Sequence, residues 1–177
     1  MKHLKDIILE KLTINSKTKI VTYNYFPKDR NELKKLLTKL IKERGNKANL
    51  NDIDVSNITN LEYIFHNLEF NGDISGWEVS NVENMHCTFM DSDFNGDISK
   101  WNVSNVKNMN SMFYNSKFNG DISKWNVSNV KNMDCMFRNS DFNGDISKWN
   151  ISNVENMNNN MFNNSPLEKN PPKWYKK

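Results

Sequence analysis

Residues 94–113 read Phe94-Asn-Gly-Asp-Ile-Ser-Lys-Trp101-Asn-Val-Ser-Asn-Val-Lys-Asn-Met109-Asn-Ser-Met-Phe113. The phrase Phe-Asn-Gly-Asp-Ile-Ser-x-Trp-x-Val-Ser-Asn-Val-x-Asn-Met also begins at Phe70, Phe118 and Phe142, always 24 residues apart, with Ile151 in the Val column of the last copy. Self-similarity at a fixed period of this length marks a repeat array. No single copy can bury its own Phe, Trp, Val and Met, so the copies must stack and share one core.

Working outward, a degenerate copy precedes these four, with Ile53 in the Trp column, Val55 in the Val column and Leu61 in the Met column. A fading copy follows, where Met157-Asn-Asn-Asn-Met-Phe162 carries one extra residue and Trp174 returns to the Trp column. Imperfect first and last copies are what the ends of a stack require.

Within a copy, the glycine of Asn-Gly is expected to supply the positive φ of a tight turn. Ile-x-x-Trp-x-Val reads as a short strand with Trp77, Trp101, Trp125 and Trp149 pointing into the core. Val106, Met109, Met112 and Phe113 have helical spacing, opened by a Ser able to cap it. The expected fold class is therefore an α/β repeat solenoid, a stack of short strands and short helical turns. Two asparagine columns run through it, Asn57, Asn81, Asn105, Asn129, Asn153 and Asn60, Asn84, Asn108, Asn132, Asn156, and read as structural ladders of stacked amides.

Residues 1–50 read as an N-terminal strand and helix cap, 51–165 as about five repeats, and 166–177 as a C-terminal cap with a basic tail. In the first, residues 18–26 are rich in β-branched and aromatic types and suggest a strand. After Pro27, Asp29 and Glu32 form a capping box, Leu33, Leu36, Leu37, Leu40 and Ile41 form one apolar stripe, and Gly45 ends the helix. That stripe is expected to cover the open first copy near Ile53. At the other end Pro171 and Pro172 stand where Ile and Ser normally sit and are expected to stop strand addition.

The net charge of +3 hides an asymmetry: residues 1–50 carry 13 Lys/Arg against 5 Asp/Glu, while residues 51–167 carry 7 against 15. The basic block fits the polar face of the expected helix beside an acidic body. No basic stripe is interleaved with aromatics, so nucleic acid is not the expected partner. Asp6 and Glu10 interrupt any signal-peptide core, and no apolar run reaches membrane-spanning length, which places the chain as written in the cytoplasm. Cys87 and Cys135 lie two periods apart. At strand spacing that is about 10 Å, too far for a disulfide, so two free thiols are expected.

The repeat phrase, continued as Met-x-x-Met-Phe, resembles the repeat of the BspA-like leucine-rich-repeat surface proteins, and the Tyr25-Phe-Pro-Lys segment with its helix is similar to the leader of short members. The resemblance covers roughly residues 20–165. It implies a leucine-rich-repeat-like stack, surface display in many members, and adhesion or protein binding. The sequence departs from that pattern in lacking a secretion signal and an early lipidation cysteine.

For catalysis the sequence offers little. His3, His66 and His86 share no spacing with a carboxylate pair, and neither cysteine has a histidine at metal-ligand spacing. His66 and His86 read as exposed polar residues. The serines lack a His-plus-acid set, and the glycines come singly rather than as a phosphate loop. Stacking would align Asp73, Asp97, Asp121 and Asp145, a row calcium could neutralise. An Asx bond from each Asp to backbone accounts for the row without metal, and no metal or cofactor is expected.

The candidates for ligand binding are the side chains that alternation points outward: Gly76, Lys100, Lys124 and Lys148 in one column, and Glu78, Asn102, Asn126 and Asn150 in the next. A second set is the positions that differ between copies, His86, Met90, Asn110, Tyr114, Asp134 and Arg138; Tyr114 and Arg138 are of types enriched at binding hot spots. Variation there is recognition or tolerance at solvent-facing sites. Two functions remain: a monomeric, non-enzymatic module binding a protein of unknown identity, and a structural or adhesive surface element whose repeat number matters more than any one site.

Overall fold

Asp29 decides where the chain becomes helical. The structure is a computed structural model that describes residues 22–158 and 160–175, and its α-helix, α1, spans Arg30–Arg44. Asp29 is extended and its Oδ1 accepts the backbone N–H of Asn31 at 2.8 Å and of Glu32 at 2.9 Å. Glu32 reaches back to the N–H of Lys28 at 3.0 Å, one residue before the cap, so the reciprocal bond closes around Asp29 rather than on it. Gly45, at φ +87°, ends α1 and donates its N–H to Ile41. Leu33, Leu37 and Leu40 are fully buried in the same cluster as Ile53, Val55 and Leu61.

Beyond α1 the chain is a succession of tight turns joined by short extended links. In each copy the N–H of Trp returns to the carbonyl of the Ile three residues back, as in Trp101 to Ile98 at 3.1 Å and Trp125 to Ile122 at 3.1 Å. The second Val does the same to the first, Val106 to Val103 and Val130 to Val127 at 3.0 Å. These are β-turn bonds. Among the described residues, strand-type pairing between copies is confined to isolated parallel bridges, including Asn60 with Asn84, Asn84 with Asn108, Asn108 with Asn132 and Asn132 with Asn156.

The expected α/β repeat solenoid is corrected by this finding. Among the described residues there is one α-helix, one three-residue 3₁₀ turn at Pro166–Glu168, and no sheet, so neither a leucine-rich-repeat-like stack of strands nor the solenoid description applies. The strand fails because Asp97 and its equivalents take the Ser99-type N–H locally, at 2.9 Å, removing an amide that a ladder would use. The helical turns fail because Ser111 and Asn115 hold φ +52° and +50°, which breaks a right-handed run. Successive turns produce apolar spacings of three and four without a helix. In the expected N-terminal strand, residues 18–21 lie outside the described residues, and the remainder bends at Asn24 and carries one bridge, Tyr25 with Ile53. With no ladder present, the strand-stopping role expected of Pro171 and Pro172 lapses as well.

Aromatic packing sets the spacing of the copies. Phe65, Phe89, Phe113, Phe137 and Phe162 form one column of near-parallel rings with centroids 5.2–5.9 Å apart. Phe70, Phe94, Phe118 and Phe142 form a second at 6.0–6.3 Å. Ring thickness and offset thus act together with the backbone bridges at the asparagines in setting the distance between copies. Each Trp donates its indole N–H to a carbonyl of the preceding copy: Trp77 to Leu50, Trp101 to Ile74, Trp125 to Ile98, Trp149 to Ile122 and Trp174 to Ile146, at 2.9–3.2 Å. A buried indole is thus satisfied by its neighbour rather than by its own copy.

The role expected of glycine is also corrected. Among the described residues the one glycine with positive φ is Gly45; otherwise positive φ falls on Tyr63, Cys87, Ser111 and Cys135, and on Asn67, Asp91, Asn115, Asn139 and Asn164. The Asn-Gly glycines are required for room. A Cβ on Gly96 would lie 2.8 Å from the Phe94 ring and 2.9 Å from the Gly72 carbonyl, and one on Gly72 would lie 2.1 Å from the Ala48 carbonyl oxygen.

α1 also closes the hydrogen bonding at the first copy. Within the array, the carbonyls of one copy accept N–H groups of the copy before it: His86 from Tyr63, Thr88 from Phe65, Asn110 from Cys87 and Met112 from Phe89, at 2.9–3.1 Å. The first copy has no such predecessor. Its equivalent carbonyls are taken by side chains of α1, Glu62 by Arg30 Nε, and Ile64 and His66 by Lys34 Nζ at 2.9 Å. Lys34 also donates to Tyr63 at 3.1 Å. Burial, with the Arg30 guanidinium beside it, pushes the Lys34 ammonium down to about 8. Cys87 and Cys135 are both free. Among the described residues no helix is long and apolar enough to cross a membrane.

Candidate functional site

The Ile-Ser-x-Trp turn places position x at its outer corner while Trp packs inward. Lys100, Lys124 and Lys148 are exposed there, beside Trp101, Trp125 and Trp149, which retain at most 5 % exposure. Because the Trp174 indole continues the bonding pattern of its column, Lys173, also exposed, is the fourth lysine of the row. The sequence signal for it is Trp174, which falls on the Trp column one residue on.

None of these four lysines forms an ion pair within 4.0 Å among the described residues. Other lysines do: Lys107 with Glu83 at 2.8 Å, Lys117 with Asp93 at 2.8 Å and Lys131 with Glu155 at 3.0 Å. The row therefore presents ammonium groups without an internal counter-charge at contact distance. Position x of the earliest copies is Asp52, paired with Arg44 at 3.0 Å, and Gly76, whose N–H donates to Asn51 Oδ1 at 2.8 Å.

Two residues on, Glu78, Asn102, Asn126 and Asn150 are exposed. The Oδ1 atoms of the three asparagines accept N–H from Ser104, Ser128 and Ser152 at 3.1–3.2 Å. Their Nδ2 groups have no partner among the described residues.

On the other side of the lysines run Asp73, Asp97, Asp121 and Asp145, each accepting the N–H of the serine two residues on at 2.9 Å. The backbone amide, then the hydroxyl, of Ser99, Ser123 and Ser147 hold the Asp97, Asp121 and Asp145 carboxyls below the usual range, and Lys100, Lys124 and Lys148 add to this. A carboxyl whose folded pKa is depressed contributes stability that is present above about pH 4 and is lost as pH falls through the depressed value. Thermal unfolding is accordingly expected at lower temperature at pH 3 than at pH 7. The difference narrows in an Asp97→Asn, Asp121→Asn, Asp145→Asn triple variant, which keeps the Oδ1 acceptor but does not titrate. Among the described residues no group of three or more His, Cys, Asp or Glu is arranged to hold a metal ion.

The asparagine columns divide the structural work. Asn81, Asn105, Asn129 and Asn153 each donate Nδ2 to the carbonyl of a serine in the preceding copy, at 2.7–2.8 Å. Asn60, Asn84, Asn108 and Asn132 sit at the bridges, where each Oδ1 accepts the N–H two residues on at 2.8–3.0 Å. A third column escaped the sequence reading: Asn95, Asn119 and Asn143 donate their backbone N–H to Oδ1 of Asn71, Asn95 and Asn119 at 2.8–2.9 Å.

The positions that vary between copies, His86, Met90, Asn110, Tyr114, Asp134 and Arg138, are half-buried rather than free in solvent. Tyr114 accepts from Asn139 Nδ2 at 3.3 Å, and Asp134 accepts from the Asn158 N–H at 2.7 Å. Arg138 Nε is buried without a hydrogen-bond partner among the described residues. His66 and His86, read from sequence as exposed, are brought together on Tyr63, with ring centroids 5.5 and 5.1 Å away. Tyr63 Oη lies 3.2 Å from His86 Nε2, and His66 Nδ1 lies 3.8 Å from the Asp91 carboxylate. Cys87 Sγ is 3.4 Å from the same His86 nitrogen, but burial pushes its thiol up, so it is held protonated and poorly nucleophilic.

Residues 32–138 and 114–175 match the family described as Mycoplasma protein of unknown function, DUF285. No curated protein and no solved structure gives a match.

Proposed function

This chain belongs to the DUF285 family of Mycoplasma proteins of unknown function, and from that premise we propose that it is a non-catalytic module that binds a protein on the face carrying Lys100, Lys124 and Lys148. A family without a known activity passes none on, so the reading rests on the chain's own surface. The observation that carries it is the contrast between these lysines and Lys107, Lys117 and Lys131. The latter are paired at 2.8–3.0 Å, while the former stand exposed in a regular row with no ion pair within 4.0 Å among the described residues. Exposed like charges held in line raise the local potential and steer an oppositely charged partner.

The test is affinity capture with the full chain and with a Lys100→Glu, Lys124→Glu, Lys148→Glu variant. Because all three side chains are exposed, the variant is expected to keep its fold, verified by tryptophan fluorescence. A partner held by the native chain and weakened at least tenfold by the reversal supports the reading, and undiminished binding overturns it.

A further inference from the structure

We infer that the lysine face takes an extended acidic segment whose carboxylates fall on alternate residues and which runs along the array, crossing one copy for every two of its own residues. This rests on the reading of the lysine face just given and specifies its partner. The spacing of the copies is the first argument. Near the row, Trp77 and Trp101 are parallel with ring centroids 6.3 Å apart; Phe94, Phe118 and Phe142 repeat at 6.2–6.3 Å and the column from Phe65 to Phe162 at 5.2–5.9 Å. An extended chain advances roughly 6.4–6.8 Å per two residues. Over the intervals between Lys100, Lys124, Lys148 and Lys173 the mismatch stays within the reach of a flexible lysine side chain.

Spacing alone does not choose the partner's conformation, since residues four apart on an α-helix are separated by about 6 Å. The neighbouring column does. Nδ2 of Asn102, Asn126 and Asn150 stands exposed and without a partner among the described residues, because Oδ1 of the same amide is fixed by a serine N–H. Each copy thus offers one ammonium and, beside it, one amide donor. A helix has its interior carbonyls in use, whereas an extended chain presents every second carbonyl to the same side. The extended segment therefore meets both columns, side-chain carboxylates on the lysines and main-chain carbonyls on the asparagines. Asp97, Asp121 and Asp145 border the lysines on their other side and repel an acidic body broad enough to cover them. A helix about 10 Å across is that broad.

The probes are four fluorescent ligands titrated into the full chain by anisotropy at low salt. They are a peptide alternating Glu and Ser over eight residues, its isomer with the four Glu in one block, a helix-forming peptide with Glu at every fourth position, and oligo-dT. The alternating peptide is expected to bind at least tenfold tighter than the block isomer, and to weaken stepwise as Lys100, Lys124 and Lys148 are changed one at a time to Gln. Equal binding of the two isomers, abolished by the triple Lys→Glu variant, overturns the extended register and leaves the lysine face standing. Tighter binding of the helical peptide or of oligo-dT overturns it in favour of that partner. Binding of the alternating peptide that is unchanged in the triple variant overturns the inference and the lysine face together, as does failure of all four ligands to bind.

Discussion

Replacing Lys34 by Met is expected to lower the stability of the chain by about 3 kcal/mol, read as a fall in the urea midpoint, while Lys35→Met on the exposed side of α1 changes little. Lys34 supplies the donors for three first-copy carbonyls, those of Tyr63, Ile64 and His66, at 2.9–3.1 Å. Methionine keeps most of the aliphatic length and removes the ammonium. The cost is therefore that of leaving polar groups without partners, about 1–3 kcal/mol for each one that water does not reach. Because Lys34 is half-buried, some of the three carbonyls regain water, which holds the sum to about 3 kcal/mol, the low end of what three such groups would cost together. Lys34→Arg keeps the charge but not the compact three-way geometry, and is expected to fall between the two. A Lys34→Met variant as stable as the native chain would mean that α1 covers the first copy through Leu33, Leu37 and Leu40 alone.

The second large effect is expected at Gly72. Changing it to Ala places a Cβ 2.1 Å from the Ala48 carbonyl oxygen, a clash with backbone that no rotamer relieves. Overpacking commonly costs about 1–3 kcal/mol and more where the obstacle cannot move; here at least about 3 kcal/mol is expected from the denaturation midpoint. Gly120→Ala serves as the milder comparison, since its nearest neighbour is the Phe118 ring at 2.9 Å and the carbonyl of the copy before lies 3.6 Å away. Asparagine separates the two explanations for the glycine. It tolerates positive φ, so it would rescue a position chosen for conformation, but Gly72→Asn is expected to be no better than Gly72→Ala because the space is what is missing. At Gly45, where φ is +87° and ψ 165° and nothing lies within 4 Å of a built Cβ, the backbone conformation and not space is what glycine supplies, and Asn and Ala are expected to cost alike.

These positions show what the sequence reveals and where it misleads. The period is plain, and with it which side chains go inside, because Phe, Trp, Val and Met recur without exception in the central copies. α1 is legible from Asp29, Glu32 and Gly45, whose roles are local. Secondary structure within a copy is not. Ile-x-x-Trp-x-Val alternates as a strand does, yet Ile-to-Trp is the span of one turn closed by a single bond. Val106, Met109, Met112 and Phe113 are spaced as on a helix, yet Ser111 at φ +52° lies between them. Serine carries no sign of that conformation, since its left-handed backbone is imposed by neighbouring copies. The contact of His86 with Tyr63 is hidden for the same reason, being made between copies rather than within one. Lys173 was legible in principle, one residue before a Trp already assigned to its column.

The indole bonds running from each copy to the one before, and the asparagine columns beside them, have a consequence for inheritance. An interface that is the same at every level is restored whenever a whole period of 24 residues is gained or lost, since the new neighbours meet with the donors and acceptors of the old. An in-frame duplication or deletion of one period in the gene therefore changes how many copies the chain has without asking any residue to adapt. The lysine row lengthens or shortens with it, so the reach of this surface is a quantity that recombination can adjust in whole steps with the packing between copies unchanged.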